Sequence, residues 1–121
     1  MKRVTGIGGI FFQARDPALL RAWYARHLGI DVQPWGGAAL EQSGDTTAWS
    51  IGAIGSDKFA PGTASFMINY RVHDLAALLD ALRAEGCNVL DTTDDGPYGK
   101  FGWVVDPEGN KIELWEAPAK P

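Results

Sequence analysis

Apolar and polar positions along this chain change period several times, and each change marks an element. The opening run GIGGIFFQAR is apolar and β-prone. It ends at Asp16-Pro17, where an aspartate can cap a helix and a proline suits its first turn. Leu19, Leu20, Trp23, Tyr24 and Leu28 then fall on one stripe at helical spacing until Gly29 stops it, which predicts a helix packed by that stripe. Three short segments follow that read as strands, IDVQPW, AALEQ and TTAWSIGAI, separated by Gly-Gly and Ser-Gly-Asp.

The pattern then repeats. GSDKFAPGTA is rich in turn formers and reads as a linker, and SFMINYRV is again β-like and leads to Asp74. Leu75, Leu78, Leu79 and Leu82 form a second helical stripe ended by Gly86, followed by strand-like CNVLDT, KFGWVVD and KIELWEA. The turn DPEGN before the last of these suits a hairpin, because proline pre-sets φ and glycine tolerates positive φ. Matching Asp16 with Asp74 and Gly29 with Gly86 gives two copies of a β-α-β-β-β module of about 55 residues. The expected organisation is one α+β domain over residues 1–121, with module one at about 5–54, a linker at about 55–63 and module two at about 64–117. One module has too few strands to bury both faces. Pairing the two predicts an open, eight-stranded, cupped barrel with helices outside.

Composition narrows the function classes. The chain has 121 residues, 45% of them hydrophobic, enough for one packed domain. Its formal net charge is -4 and its 11 basic residues are scattered, which argues against a nucleic-acid surface and for a small-molecule partner. Cys87 is the sole cysteine, so no intramolecular disulfide is available. The segment MKRVTGIGG lacks the apolar core of a signal peptide, and no apolar run approaches the roughly 20 residues that span a bilayer. The expectation is a soluble cytoplasmic protein with no membrane partner.

The duplicated module order, ARDPALLRAWYARHLGI after the first strand and GWVVDPEGNKIELWE near the end resemble the vicinal oxygen chelate superfamily of glyoxalase I, extradiol dioxygenases and bleomycin-resistance proteins. The resemblance covers nearly the whole chain. It implies a cup with substrate inside, often completed as a homodimer. In metal-using members it implies ligands at four corresponding strand positions, which fall here at Gly9, Met67, Ala48 or Trp49, and Glu113. Glu113 alone matches that pattern: Gly9 has no donor atom, and a thioether is a poor ligand for the hard or borderline ions such enzymes use. His27 and His73 read as surface residues and do not complete a site.

Strand alternation puts Glu113 and Trp115 on one face and Ile112 and Leu114 under a helix, so Glu113 is expected in the cup. The same parity brings Gly9, Phe11, Gln13, Met67, Asn69 and Arg71 to the cup side. The expected ligand-binding residues are Phe11, Gln13, Trp49, Met67, Asn69, Trp103, Glu113 and Trp115, an aromatic lining with a few polar groups. Glycine at position 9 would leave room for a ligand. A carboxylate among aromatics would have a raised pKa, making Glu113 the candidate catalytic base or a hydrogen-bond acceptor. Asp16 and Asp74 read as helix caps, Cys87 as a buried structural thiol, and DDGPYGKFG as a flexible lid or turn.

Two functions are consistent with these residues and that resemblance. In the first, the chain is a metal-independent, glyoxalase-like or bleomycin-resistance-like protein binding a small, partly aromatic organic molecule. In the second it is an enzyme of the superfamily, a lyase, isomerase or dioxygenase, with Glu113 as general base or as ligand to a divalent Zn, Ni, Mn or Fe ion. A third is a structural dimer module with a filled cup.

Overall fold

The computed structural model describes residues 3–42, 44–55 and 57–119. β1 (Val4–Ala14) leads through Asp16 into α1 (Pro17–Leu28), and β2 (Gly37–Gln42) and β3 (Asp45–Ala53) complete the first half. A 3-10 turn (Asp57–Phe59) lies between the halves. The second half contains β4 (Phe66–Val72), α2 (Leu75–Ala84), β5 (Asn88–Val89), β6 (Asp94–Gly96), β7 (Gly99–Val105) and β8 (Lys111–Glu116). Both helices start as the sequence predicts, with Asp16 accepting from the Leu19 N–H and Asp74 from the Ala77 N–H, each at 3.1 Å.

The strands form one mixed sheet in the order β2-β3-β1-β4-β8-β7-β5, with β6 paired to β7, curled into a half-barrel. The halves join where β1 and β4 run antiparallel; outward from that seam β1 pairs parallel with β3, and β4 parallel with β8. The α+β half-barrel expected from the repeat is present, but its strands are not all the expected ones. IDVQPW is not a strand: Pro34 carries no N–H for a ladder, and the segment turns, with Gly36 N–H donating to Gln33 O. CNVLDT yields only Asn88–Val89. The eighth strand comes instead from DDGPYGKFG, which forms the β6–β7 hairpin with Pro97 and Tyr98 at its tip.

The core lies on the outer face of the sheet. Under α2, Val72, Leu75, Leu78, Leu79 and Leu114 make a buried cluster. Glu116, on the same face of β8 as Ile112 and Leu114, accepts from the Leu75 N–H at 2.9 Å and so satisfies a donor in the first turn of α2. Gly102 lets that helix sit close, since a Cβ there would stand 3.0 Å from Leu79 Cδ1.

Under α1 the contact is thinner. Tyr24 packs edge-on against Phe12 and Trp49, and Arg21 Nε donates to Ile51 O at 2.9 Å. The expected stripe is only partly used. Leu20 and Tyr24 are half-buried, whereas Leu19, Trp23 and Leu28 are 70%, 48% and 61% exposed, and a groove of about 740 Å³ runs along this helix. Cys87, expected to be buried, is exposed, because it follows Gly86 in the surface turn after α2. Among the described residues, no helix is long and apolar enough to cross a membrane.

Candidate functional site

The concave face is organised about a row of three residues on adjacent strands. The parallel β4–β8 pair sets Asn69 beside Glu113, and the antiparallel β7–β8 pair sets Trp103 on its other side. Asn69 Nδ2 donates to Glu113 Oε1 at 2.7 Å, and Trp103 Nε1 donates to Oε2 at 2.9 Å. Asn69 is 1% exposed and Glu113 8%. Burial pushes the Glu113 carboxyl above its ordinary pKa, because water no longer solvates the charged form. The bonds from Asn69 and Trp103 and the nearby charges of Lys111 and Lys58 oppose that shift without cancelling it.

One step along the strands on one side, Trp115 stacks parallel to Phe101 with ring centroids 6.0 Å apart. Its indole N–H donates to Tyr98 O at 2.8 Å and holds the tip of the β6–β7 hairpin. Arg71 stands 5.8 Å from the Trp115 ring and donates to Ile7 O and Thr46 O, stitching β1 to β3. Glycine is required where the chain bulges between Ile7 and Gly9. A Cβ at Gly8 would overlap Asn69 Oδ1 and stand 2.8 Å from Trp115 Cε3.

One step along on the other side, Lys111 lies 5.3 Å from the Trp103 ring centroid and donates to Lys58 O at 2.5 Å. The segment between the halves is thereby strapped to the cup. Its two ends are tied to Gln13, whose Oε1 accepts from Gly55 N–H and whose own N–H donates to Ser65 O. Phe59 in this strap is buried.

The expected site residues divide accordingly. Asn69, Trp103 and Glu113 are directly bonded, and Phe11, Met67 and Trp115 share their face. Gln13 is on that face, but its amide serves the strap. Trp49 is not in the cup. It pairs with Ile10 and packs on Phe12 and Tyr24, so it lies beneath α1 on the outer face. The pairing also moves the module-one counterpart of Glu113 to Ser50: Asn69 neighbours Glu113, and its repeat equivalent Phe11 neighbours Ser50. Phe101 and Lys111 were missed, although both share strand parity with residues already assigned to the cup, Phe101 with Trp103 and Lys111 with Glu113.

The metal positions implied by the superfamily resemblance can be tested on geometry. Position 9 offers no room, since a Cβ there would be 2.7 Å from Ala48 O and 3.0 Å from Phe11 Cζ. The space expected from a vanished ligand is filled by neighbours. Among the described residues no three His, Cys, Asp or Glu side chains are grouped to hold an ion. These residues do not fit a divalent cation.

Comparison with known proteins agrees with the architecture. The model of the glyoxalase-like domain matches residues 9–115. Methylmalonyl-CoA epimerase from Mycobacterium tuberculosis superposes with a TM-score of 0.67 at 20% identity, covering 98% of this chain and 92% of that one. A Streptomyces coelicolor methylmalonyl-CoA epimerase variant, in complex with 2-nitronate-propionyl-CoA, gives 0.73 at 19% identity, covering 98% and 99%. A glyoxalase/bleomycin resistance protein/dioxygenase superfamily member from Vibrio splendidus 12B01 gives 0.59 at 15%, covering 88% and 95%. No curated protein matches the chain.

Proposed function

The chain belongs to the glyoxalase-like domain family, and we propose that its cup binds a small, partly aromatic organic molecule without a metal ion. The observation that carries this reading is the buried Glu113 carboxylate, held between Asn69 and Trp103 and flanked by the half-buried aromatic rings of Phe101 and Trp115. A buried acid that keeps both oxygens oriented is an acceptor for a ligand N–H or O–H, while indole and phenyl faces supply apolar contact. A cytoplasmic location, a homodimer, and the lack of nucleic-acid and membrane partners are parts of the same proposal.

The test is a thermal-shift screen of aromatic compounds against the wild type and Trp103→Ala, with elemental analysis after dialysis against Ni, Zn, Mn and Fe salts. The expected result is stabilisation by a subset of compounds, lost in the variant, with no stoichiometric metal. Metal bound in a one-to-one ratio and lost in Glu113→Ala would overturn the metal-free part. No stabilisation by any compound would favour the filled cup.

The raised pKa of Glu113 favours a second reading, in which it is the general base of a lyase or isomerase acting on a carbon acid. Its signature would be exchange of a ligand C–H proton with deuterated solvent, seen by NMR and abolished in Glu113→Gln.

A further inference from the structure

The cup sets a cation beside its acid in a way that points to the charge of the ligand. Lys111 and Glu113 are alternate residues on one face of β8, about 7 Å apart along the strand. Trp103 connects them: its ring lies under the Lys111 ammonium, and its N–H is on Glu113 Oε2. Glu113 does not neutralise the lysine by contact: its oxygens accept from Asn69 and Trp103, and no ion pair joins the two among the described residues. Glu113 and Asp57 act on Lys111 only through space, and among the described residues no carboxylate stands within ion-pair distance of its ammonium. Lys58 O takes one of the three donors that an ammonium carries.

On the opposite side of the row Arg71 is committed to the fold, since it is spent on Ile7 O and Thr46 O and lies near Asp45. Lys111, over the Trp103 ring with one of its donors used, keeps donors to offer. An indole beneath it restrains the long side chain, which lowers the entropy lost when it grips a ligand.

We propose that Lys111 receives the carboxylate of a small aromatic monoacid, whose ring lies against the indole walls of the cup and whose carbon next to the carboxylate faces Glu113. This rests on the reading of the cup as a small-molecule site, and adds the ligand's charge and its orientation.

The experiment compares two probes of one shape, indole-3-acetate and indole-3-acetamide, by calorimetric titration of the full chain as wild type, Lys111→Met and Lys111→Arg. The wild type is expected to bind the anion at least about tenfold more tightly than the amide. Lys111→Met should reduce that ratio to near one, and Lys111→Arg should retain most of it. Loosening of the strap in Lys111→Met affects both probes, so the ratio isolates the charge. An amide bound as tightly as the acid by the wild type would overturn the inference while leaving a small-molecule cup intact. A preference that survives in Lys111→Met would overturn it also. Binding of neither probe would overturn the inference, and the thermal-shift screen then decides separately whether the cup binds any small molecule.

Discussion

Asn69 gives Glu113 only half of its amide. The Nδ2 is bonded to the carboxylate, whereas Oδ1 is buried with no hydrogen-bond partner among the described residues and occupies the space over Gly8. An unpaired buried carbonyl is costly, and it is tolerated here because a carboxylate beside Asn69 demands the donor end. The polarity of the pair is thus set by the charge on Glu113.

That polarity predicts how Glu113→Gln behaves. Asn69 can rotate its amide so that Oδ1 accepts from the new glutamine Nε2, while the glutamine oxygen keeps the bond from Trp103. The variant should fold, and its stability relative to wild type should depend on pH with a definite sign. Burial raises the folded-state pKa of Glu113, so the folded protein holds this proton more tightly than the unfolded chain does. Wild-type stability therefore falls as pH rises from the ordinary carboxylate value to the raised one, by about 1.4 kcal/mol for each tenfold weakening of the acid. Glu113→Gln lacks that decline. Urea midpoints across this window should show the variant gaining on wild type as pH rises, and a constant difference would contradict it.

Gly8→Ala tests the close approach at the bulge. The added methyl would overlap Asn69 Oδ1 and crowd Trp115, so Asn69 must move and Glu113 loses its partner. Overpacking of this kind costs about 1–3 kcal/mol. Gly86→Ala, where a Cβ meets nothing but φ is positive, is the control for loss of glycine alone. The expected result is that Gly8→Ala also weakens ligand binding and Gly86→Ala does not.

The two tryptophans that sequence reasoning placed together should separate in experiment. Trp103→Phe removes a donor from a buried carboxylate and should cost about 1–3 kcal/mol and weaken any cup ligand. Trp49→Phe should alter stability through its contacts with Phe12 and Tyr24 and leave ligand affinity unchanged. Equal effects of the two on affinity would refute the assignment of Trp49 to the outer face.

The repeat, the helix caps and the facing of Glu113, Met67 and Asn69 were legible because they follow from local rules: an aspartate before a helical stripe, and alternation along a strand. Trp49 was misassigned because alternation states which residues share a face but not which face is concave. Only the pairing of Trp49 with Ile10, beneath Tyr24, decides it. Lys111 obeyed the alternation that exposed Glu113 and was passed over because a lysine at a strand end reads as solvated surface. Its value depends on the strap carbonyl and the Trp103 ring, which are distant in sequence. Gly9 looked like space left by a missing side chain, and the backbone of β3 fills that space.

Gly9→His brings this last point to a test, because it supplies a metal donor at a position where the superfamily resemblance implies a ligand. If position 9 were a vacated ligand site, histidine would pair with Glu113 and the variant would bind Zn or Ni. The parallel pairing with Ala48 argues otherwise: even a Cβ meets Ala48 O at 2.7 Å, so an imidazole must push β1 from β3 or displace Phe11. Even paired with Glu113, the histidine would make only two protein ligands, since among the described residues no three His, Cys, Asp or Glu side chains are grouped to hold an ion. The expected outcome is a loss of at least about 1–3 kcal/mol in stability and no rise in Tm on adding metal. A metal-dependent rise in Tm that Glu113→Ala abolishes in the same background would show that the cup retains the latent site.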